Sequence, residues 1–153
     1  MSDLPLSRRI TLTQSVIARN LISGYRDTDY QIGAGSDSIS LRIDQYSESL
    51  AKLLIASKHP CAAMISAYNP YSQRLSNEEN LIAHESLRND LRRHYCPIIE
   101  SLNIDPTGRW PTEKSFFVLG ADLNTAQSLG QQFNQNAIVW IGNDAIPRLI
   151  LLR

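Results

Sequence analysis

One short segment of the sequence, AYNPYSQRLSNEEN at residues 67–80, concentrates side chains that could bind a polar ligand. Its amide, hydroxyl and guanidinium groups donate or accept hydrogen bonds in defined geometries. We expect the segment to connect a buried strand to a helix N-terminus, where backbone amides are free and where open α/β sheets bind ligands. The sequence therefore predicts a site for a small polar or anionic ligand. The predicted contacts are Asn69, Ser72, Arg74 and Asn80.

Local structure alone explains part of the same segment. Asn69-Pro70 is a typical turn dipeptide, and Ser76 with Glu79 has the spacing of a helix capping box. Asn80 lies at the position where a hydrophobic staple would place an apolar side chain. Its amide is therefore expected either to clamp the loop internally or to contact a ligand, and both alternatives remain open.

Two further pairs of residues could take part in chemistry or binding. Glu113 and Ser115 are two positions apart in a predicted strand, so both side chains point to one face. A carboxylate beside a hydroxyl can serve as general base and nucleophile, and hydrogen bonding in a structural role is the alternative. Gln135 and Asn136, at a predicted helix-to-strand junction, could contact a ligand or bond to the turn. Whether the protein is an enzyme stays open.

Several classes of function are not indicated. His59, His84 and His94 lack the H-x-x-x-H spacing of a metal site, and no P-loop, dinucleotide or G-x-S-x-G motif occurs, so neither metal nor cofactor is predicted. Fifteen basic residues balance fifteen acidic ones, which argues against nucleic-acid binding. Because the chain lacks a run of about 18 apolar residues and a signal-peptide core, we expect a cytoplasmic protein without a membrane segment.

Apolar periodicity predicts the elements that must position these groups. In chain order we expect a helix at 11–23, two short strands within 25–43, a helix ending near 57, a strand at 61–68, a helix from 76 to before 97, a strand at 113–120, a helix to about 133, and strands at 137–141 and 148–152. This order predicts an α+β or mixed α/β fold. It would be one compact domain over residues 1–153, with a mixed sheet, a central buried strand at 61–68, flanking helices and a C-terminal β-hairpin. Residues 1–10 are expected to be loosely ordered.

Four segments in order, YRDTDY, AYNPYSQRLSNEEN, EKSFFVLG and FNQNAIVWI, resemble a bacterial family catalogued as domain of unknown function 3293. The resemblance spans roughly residues 25–152. It implies a cytosolic bacterial single-domain protein, and it carries over no catalytic or binding residues.

Three functional hypotheses follow from these features. The first is a small-ligand binding domain with its site at residues 67–80. The second is a protein-interaction or regulatory module with Tyr68, Tyr71 and Trp110 as exposed aromatic anchors. The third is a hydrolase that uses Glu113.

Overall fold

The computed structural model describes residues 15–94 and 97–153, which form four α-helices and one seven-stranded sheet. The helices are α1 (Arg19–Asp27), α2 (Glu48–Ser57), α3 (Asn77–Arg92) and α4 (Leu123–Gln132). The strands are β1 (Asp29–Ile32), β2 (Ile39–Leu41), β3 (Ala62–Ile65), β4 (Ile98–Ile104), β5 (Glu113–Leu119), β6 (Ala137–Ile141) and β7 (Pro147–Leu151). Short 3-10 helices lie at Gly35–Asp37 and Pro70–Ser72.

Most helix N-termini follow local sequence signals. Ser47 and Asp122 cap α2 and α4, because the side chain of each accepts a hydrogen bond from a backbone N–H in the first turn. Ser76 and Glu79 form the predicted capping box at the start of α3. The start of α3 is therefore determined by its own sequence.

Within the described residues, the first helix begins and ends at other positions than predicted. It was expected at residues 11–23, but α1 begins at Arg19, after a residue that provides no side-chain cap, and ends at Asp27. Residues 11–14 of the predicted helix lie outside the described residues, as do residues 1–10 and residues 95 and 96.

The sheet has the strand order β2-β1-β4-β5-β3-β6-β7. The α+β class, the buried inner strand β3 and the C-terminal hairpin of β6 and β7 are confirmed. The sheet is not mixed, however, because all six pairings between these strands are antiparallel. Strand β4 was not predicted, and it lies between β1 and β5. Only Ser101 of its seven residues is buried. A strand that buries so little of its surface needs no clear alternation of apolar and polar residues, and such alternation is the signal by which strands are predicted.

Helices pack on both faces of the sheet. On one face, Leu87 and Leu91 of α3 form a core cluster with Phe116 of β5, and α4 joins the same cluster. On the other face, Leu50 of α2 packs in a cluster with Phe117 of β5. Each such buried Leu or Phe side chain contributes about 1.5–3 kcal/mol to folding. The core cluster beneath α2 covers only part of this face of the sheet. The candidate site lies on the remaining part of the same face.

Candidate functional site

A cavity of about 480 Å³ lies between α1 and the sheet face that α2 also covers. Small-molecule sites commonly have volumes of roughly 300–1,000 Å³. Tyr30, Met64 and Val139, from three different strands, contribute to its lining. Asn20 and Asp27, near the two ends of helix α1, also line the cavity. No residue of α1 is buried. The cavity is therefore bounded by a well-packed sheet and by an exposed helix.

The predicted site residues divide into two groups. Five of them line the cavity: Asn69, Ser72, Glu113, Gln135 and Asn136. Arg74, Asn80 and Ser115 do not. Because the sheet is antiparallel, the cavity lies on a sheet face and not at the carboxyl ends of parallel strands, so the geometric rule that motivated the prediction does not apply here.

Asn80 acts as an internal clamp on the loop before α3. Its Oδ1 accepts a hydrogen bond from the backbone N–H of Asn69 at 2.9 Å, and its Nδ2 donates to Oδ1 of Asn69 at 2.9 Å. The same oxygen of Asn69 also accepts from the backbone N–H of Leu75 at 3.0 Å. Asn80 is buried, with 3% of its surface exposed. Of the two alternatives left open by the sequence, this geometry supports the internal clamp.

The clamped loop contains three non-glycine residues with left-handed backbone. Asn69, Tyr71 and Ser72 have φ values of 44°, 53° and 57°. Such a conformation costs about 1–3 kcal/mol per residue and persists only where the surrounding structure holds it in place. The backbone N–H of Tyr71 donates to the carbonyl of Asn134 at 2.8 Å, which ties this turn to the loop before β6. Strain of this kind concentrates at functional sites, and here it lies beside the cavity.

Glu113 is held at the cavity by two neutral donors. Its Oε2 accepts from Nδ2 of Asn69 at 2.7 Å and from Nε1 of Trp110 at 2.8 Å. Burial raises the pKa of the Glu113 carboxyl, and these two hydrogen bonds offset part of that increase. Among the described residues, no Lys, Arg or His forms an ion pair with it. Glu113 is thus a half-buried carboxyl with no counter-charge among the described residues.

The loop between β4 and β5 positions Trp110. Asp105 accepts hydrogen bonds from the backbone N–H of Trp110 at 2.9 Å and from both the hydroxyl and the backbone N–H of Thr107. These hydrogen bonds, those from Thr107 above all, lower the pKa of Asp105. Outside the cavity, the guanidinium of Arg74 lies 6.0 Å from the centroid of the Trp110 ring. Arg74 therefore contacts the tryptophan and does not supply a cation to the cavity lining.

A second polar cluster joins α1 to the strained turn. The hydroxyls of Tyr25 and Ser72 are 2.5 Å apart, and Nδ2 of Asn136 donates to the Tyr25 hydroxyl at 2.9 Å. Arg153 donates to Oδ1 of Asn136 at 3.1 Å, and Gln135 donates to the carbonyl of Tyr68 at 3.1 Å. The predicted residues Ser72, Gln135 and Asn136 therefore connect the walls of the cavity as well as lining it.

The remaining predicted residues do not assemble a catalytic pair or an exposed aromatic patch. The hydroxyl of Ser115 donates to Oδ1 of Asn103 at 2.8 Å, and Ser115 is fully buried. Tyr68 is also buried, and its ring packs edge-on against the ring of His84. Only Tyr71, of the three proposed aromatic anchors, has the exposure of a surface residue.

Several polar residues of the cavity had no signal in the sequence, Tyr25, Asn103 and Asp105 among them. Tyr25 follows no recognisable site pattern, and Asn103 and Asp105 belong to β4 and the loop after it, which the sequence did not predict as an element. Within residues 15–94 and 97–153, no group of three His, Cys, Asp or Glu side chains could hold a metal ion. No helix in the described part of the chain is long and apolar enough to cross a bilayer.

Comparison with known proteins gives one match. Residues 65–138 match the family model described as "Protein of unknown function (DUF3293)". No curated protein and no solved structure matches the chain. The matched range contains all five predicted residues that line the cavity, whereas Tyr25 and Tyr30 lie before it. The resemblance seen in the sequence is thereby supported: over residues 65–138 the chain is similar to the domain of unknown function 3293.

Proposed function

We propose that this protein binds a small polar ligand in the cavity beneath α1. The observation that carries the proposal is the convergence of five polar residues, chosen from sequence alone, on one cavity of about 480 Å³. Polar groups that point into a partly apolar cavity are what fixes the orientation of a bound small molecule. The strained turn at Asn69, Tyr71 and Ser72 adds support, because it lies at the same place.

The charge of the lining favours a ligand that is not an anion. Three carboxyl groups, those of Asp27, Asp105 and Glu113, line the cavity with one guanidinium, that of Arg109. The sequence suggested Arg74 as the anion-binding cation, but Arg74 is not part of the lining. An anion would therefore meet more negative than positive groups.

The two alternative functions have less support. The hydrolase hypothesis needs a nucleophile or a positioned water beside Glu113, and the hydroxyl of Ser115 is bonded to Asn103 instead. The interaction hypothesis needs exposed aromatic anchors, and Tyr68 is buried.

A thermal-shift screen with neutral, cationic and anionic metabolites tests the proposal. A ligand present at one hundred times its Kd stabilises the folded state by about 2.7 kcal/mol, which raises the Tm of a domain of this size by roughly 5–10 °C. We expect at least one compound to give such a shift in the wild-type protein.

A blocked cavity provides the specific control. Ala137 lines the cavity and is not fully buried, so Ala137→Phe adds a ring to this space. Ile82 is 72% exposed on α3 and outside the lining, so Ile82→Phe adds the same ring elsewhere. The ligand-induced shift should disappear in Ala137→Phe and persist in Ile82→Phe. The proposal is wrong if no compound stabilises the wild-type protein, or if the shift persists in folded Ala137→Phe.

A further inference from the structure

We infer that the ligand presents an organic cation, such as an ammonium, amidinium or guanidinium group, to the carboxylate of Glu113. This inference rests on the proposed function, because it requires the cavity beneath α1 to bind a ligand. It deepens that proposal by specifying the chemical class of the ligand group that contacts Glu113.

The hydrogen bonds of Glu113 leave one side of the carboxyl unused. Asn69 and Trp110 both donate to Oε2, at 2.7 and 2.8 Å. Oε1 has no hydrogen bond to any residue in the described part of the chain, and Glu113 lines the cavity. These two donors also fix the orientation of the carboxyl, since Trp110 is itself held by Asp105 at 2.9 Å. Oε1 of Glu113 can therefore accept a hydrogen bond from a donor group of a bound molecule.

A counter-charge is missing from this carboxyl. Partial burial disfavours a carboxylate unless it is paired with a cation, hydrogen-bonded or protonated. Among the described residues, no Lys, Arg or His lies within the 4.0 Å of an ion pair with Glu113. Arg109, the one cationic side chain found in the lining of the described cavity, is not such a partner. A ligand cation would supply the missing charge.

The rest of the lining is compatible with a cation. Burial raises the pKa of the Tyr68 phenol, and the negative charge of Glu113 raises it further. Tyr30, Tyr68 and Trp110 all line the cavity, and the faces of aromatic rings attract cations. Asp27 and Asp105 add negative charge nearer α1 and the β4–β5 loop. These negative charges would not attract a neutral ligand, and they would repel an anion.

Benzamidine, benzamide and benzoate test the inference, because they have nearly the same shape and carry a positive, a neutral and a negative group. Their binding to the full chain can be followed by NMR titration of the backbone amides around the cavity. We expect benzamidine to bind at least about tenfold more tightly than benzamide or benzoate, the range of a charge-assisted hydrogen bond. Its affinity should rise with pH while Glu113 loses its proton, and then become constant.

Two matched variants identify the carboxyl. Glu113→Gln keeps the shape and the acceptor for Asn69 and Trp110 but removes the charge, so most of the preference for benzamidine over benzamide should be lost. Glu78→Gln removes a carboxyl from the exposed start of α3, outside the cavity, and should leave the affinity unchanged. The pH dependence in the wild-type protein provides a second readout if Glu113→Gln does not fold.

Contrary results separate the two proposals. The inference is wrong if benzamide or benzoate binds as tightly as benzamidine, if Glu113→Gln binds benzamidine like the wild type, or if millimolar benzamidine leaves the cavity amides unchanged. In each case a neutral or anionic metabolite that stabilises the wild type but not Ala137→Phe would still support the proposed function. If no compound of any charge binds, both proposals are wrong.

Discussion

Replacing Asn80 by Ala is expected to lower the free energy of unfolding by about 2–4 kcal/mol. The side chain makes two hydrogen bonds of 2.9 Å with Asn69, and both residues are buried. Without Asn80, the backbone N–H of Asn69 has no acceptor among the described residues, and a buried unsatisfied donor costs about 1–3 kcal/mol. Oδ1 of Asn69 keeps its bond from Leu75, so the second lost bond adds only about 0.5–1.5 kcal/mol.

Chemical denaturation followed by circular dichroism measures this loss, and Asn77→Ala is the matched control. Asn77 lies in the first turn of the same helix and is exposed, so its replacement should change stability by no more than about 0.5 kcal/mol. A double-mutant cycle with Asn69→Ala isolates the interaction between the two amides from the strain that Ala incurs at φ 44°. The clamp does not exist if Asn80→Ala loses no more stability than Asn77→Ala, or if the coupling energy is near zero.

Three further predictions concern stability. The raised pKa of Glu113 means that its stabilising contribution is complete below the unfolded-state pKa and is lost as pH rises through the folded-state value. Glu113→Gln should therefore be more stable than the wild type at neutral pH and less dependent on pH, and denaturation curves showing a loss of stability at neutral pH would contradict this. Ser76→Ala removes the capping box of α3 and should cost about 1 kcal/mol, measured in the same way, and an unchanged stability would argue against the cap. Gly130→Ala would place a Cβ 2.5 Å from a side-chain atom of Leu152 and 2.7 Å from one of Ile138. We expect a net loss of about 1–2 kcal/mol in the free energy of unfolding, although Ala has the better helix propensity. A gain in stability would contradict the close contact.

The sequence predicted elements whose signals are local. The start of α3 was predictable because Ser76 and Glu79 form a capping box without help from the rest of the fold. Strand β3 was predictable because all four of its residues are buried, as its continuous apolar run suggested. Strand β4 was not predictable, since its exposure pattern has no clear alternation. The antiparallel pairings of β1 with β4, and of β3 with β5 and β6, join parts of the chain that are distant in sequence, so no local signal predicts them.

In the candidate site too, only residues with a local sequence signal were predictable. Asn69 and Ser72 were found because turn residues after a buried strand are unusual enough to be noticed in sequence. Arg74 lies outside the cavity lining, since the direction of a long exposed side chain depends on its neighbour, here Trp110. Tyr25 and Asp105 could not be found, because they reach the cavity from segments whose proximity only the fold establishes.

The central claim is that the cavity beneath α1 binds a small polar ligand. One measurement tests this claim most directly. Backbone amide shifts of the wild-type protein should be recorded by NMR with each compound that raises its Tm. The account predicts that the shifts concentrate on residues of the lining, Asn69, Ser72, Glu113 and Asn136 among them, and that they vanish in Ala137→Phe. Shifts located instead on the exposed face of α3 around Ile82, and unchanged in Ala137→Phe, would contradict it.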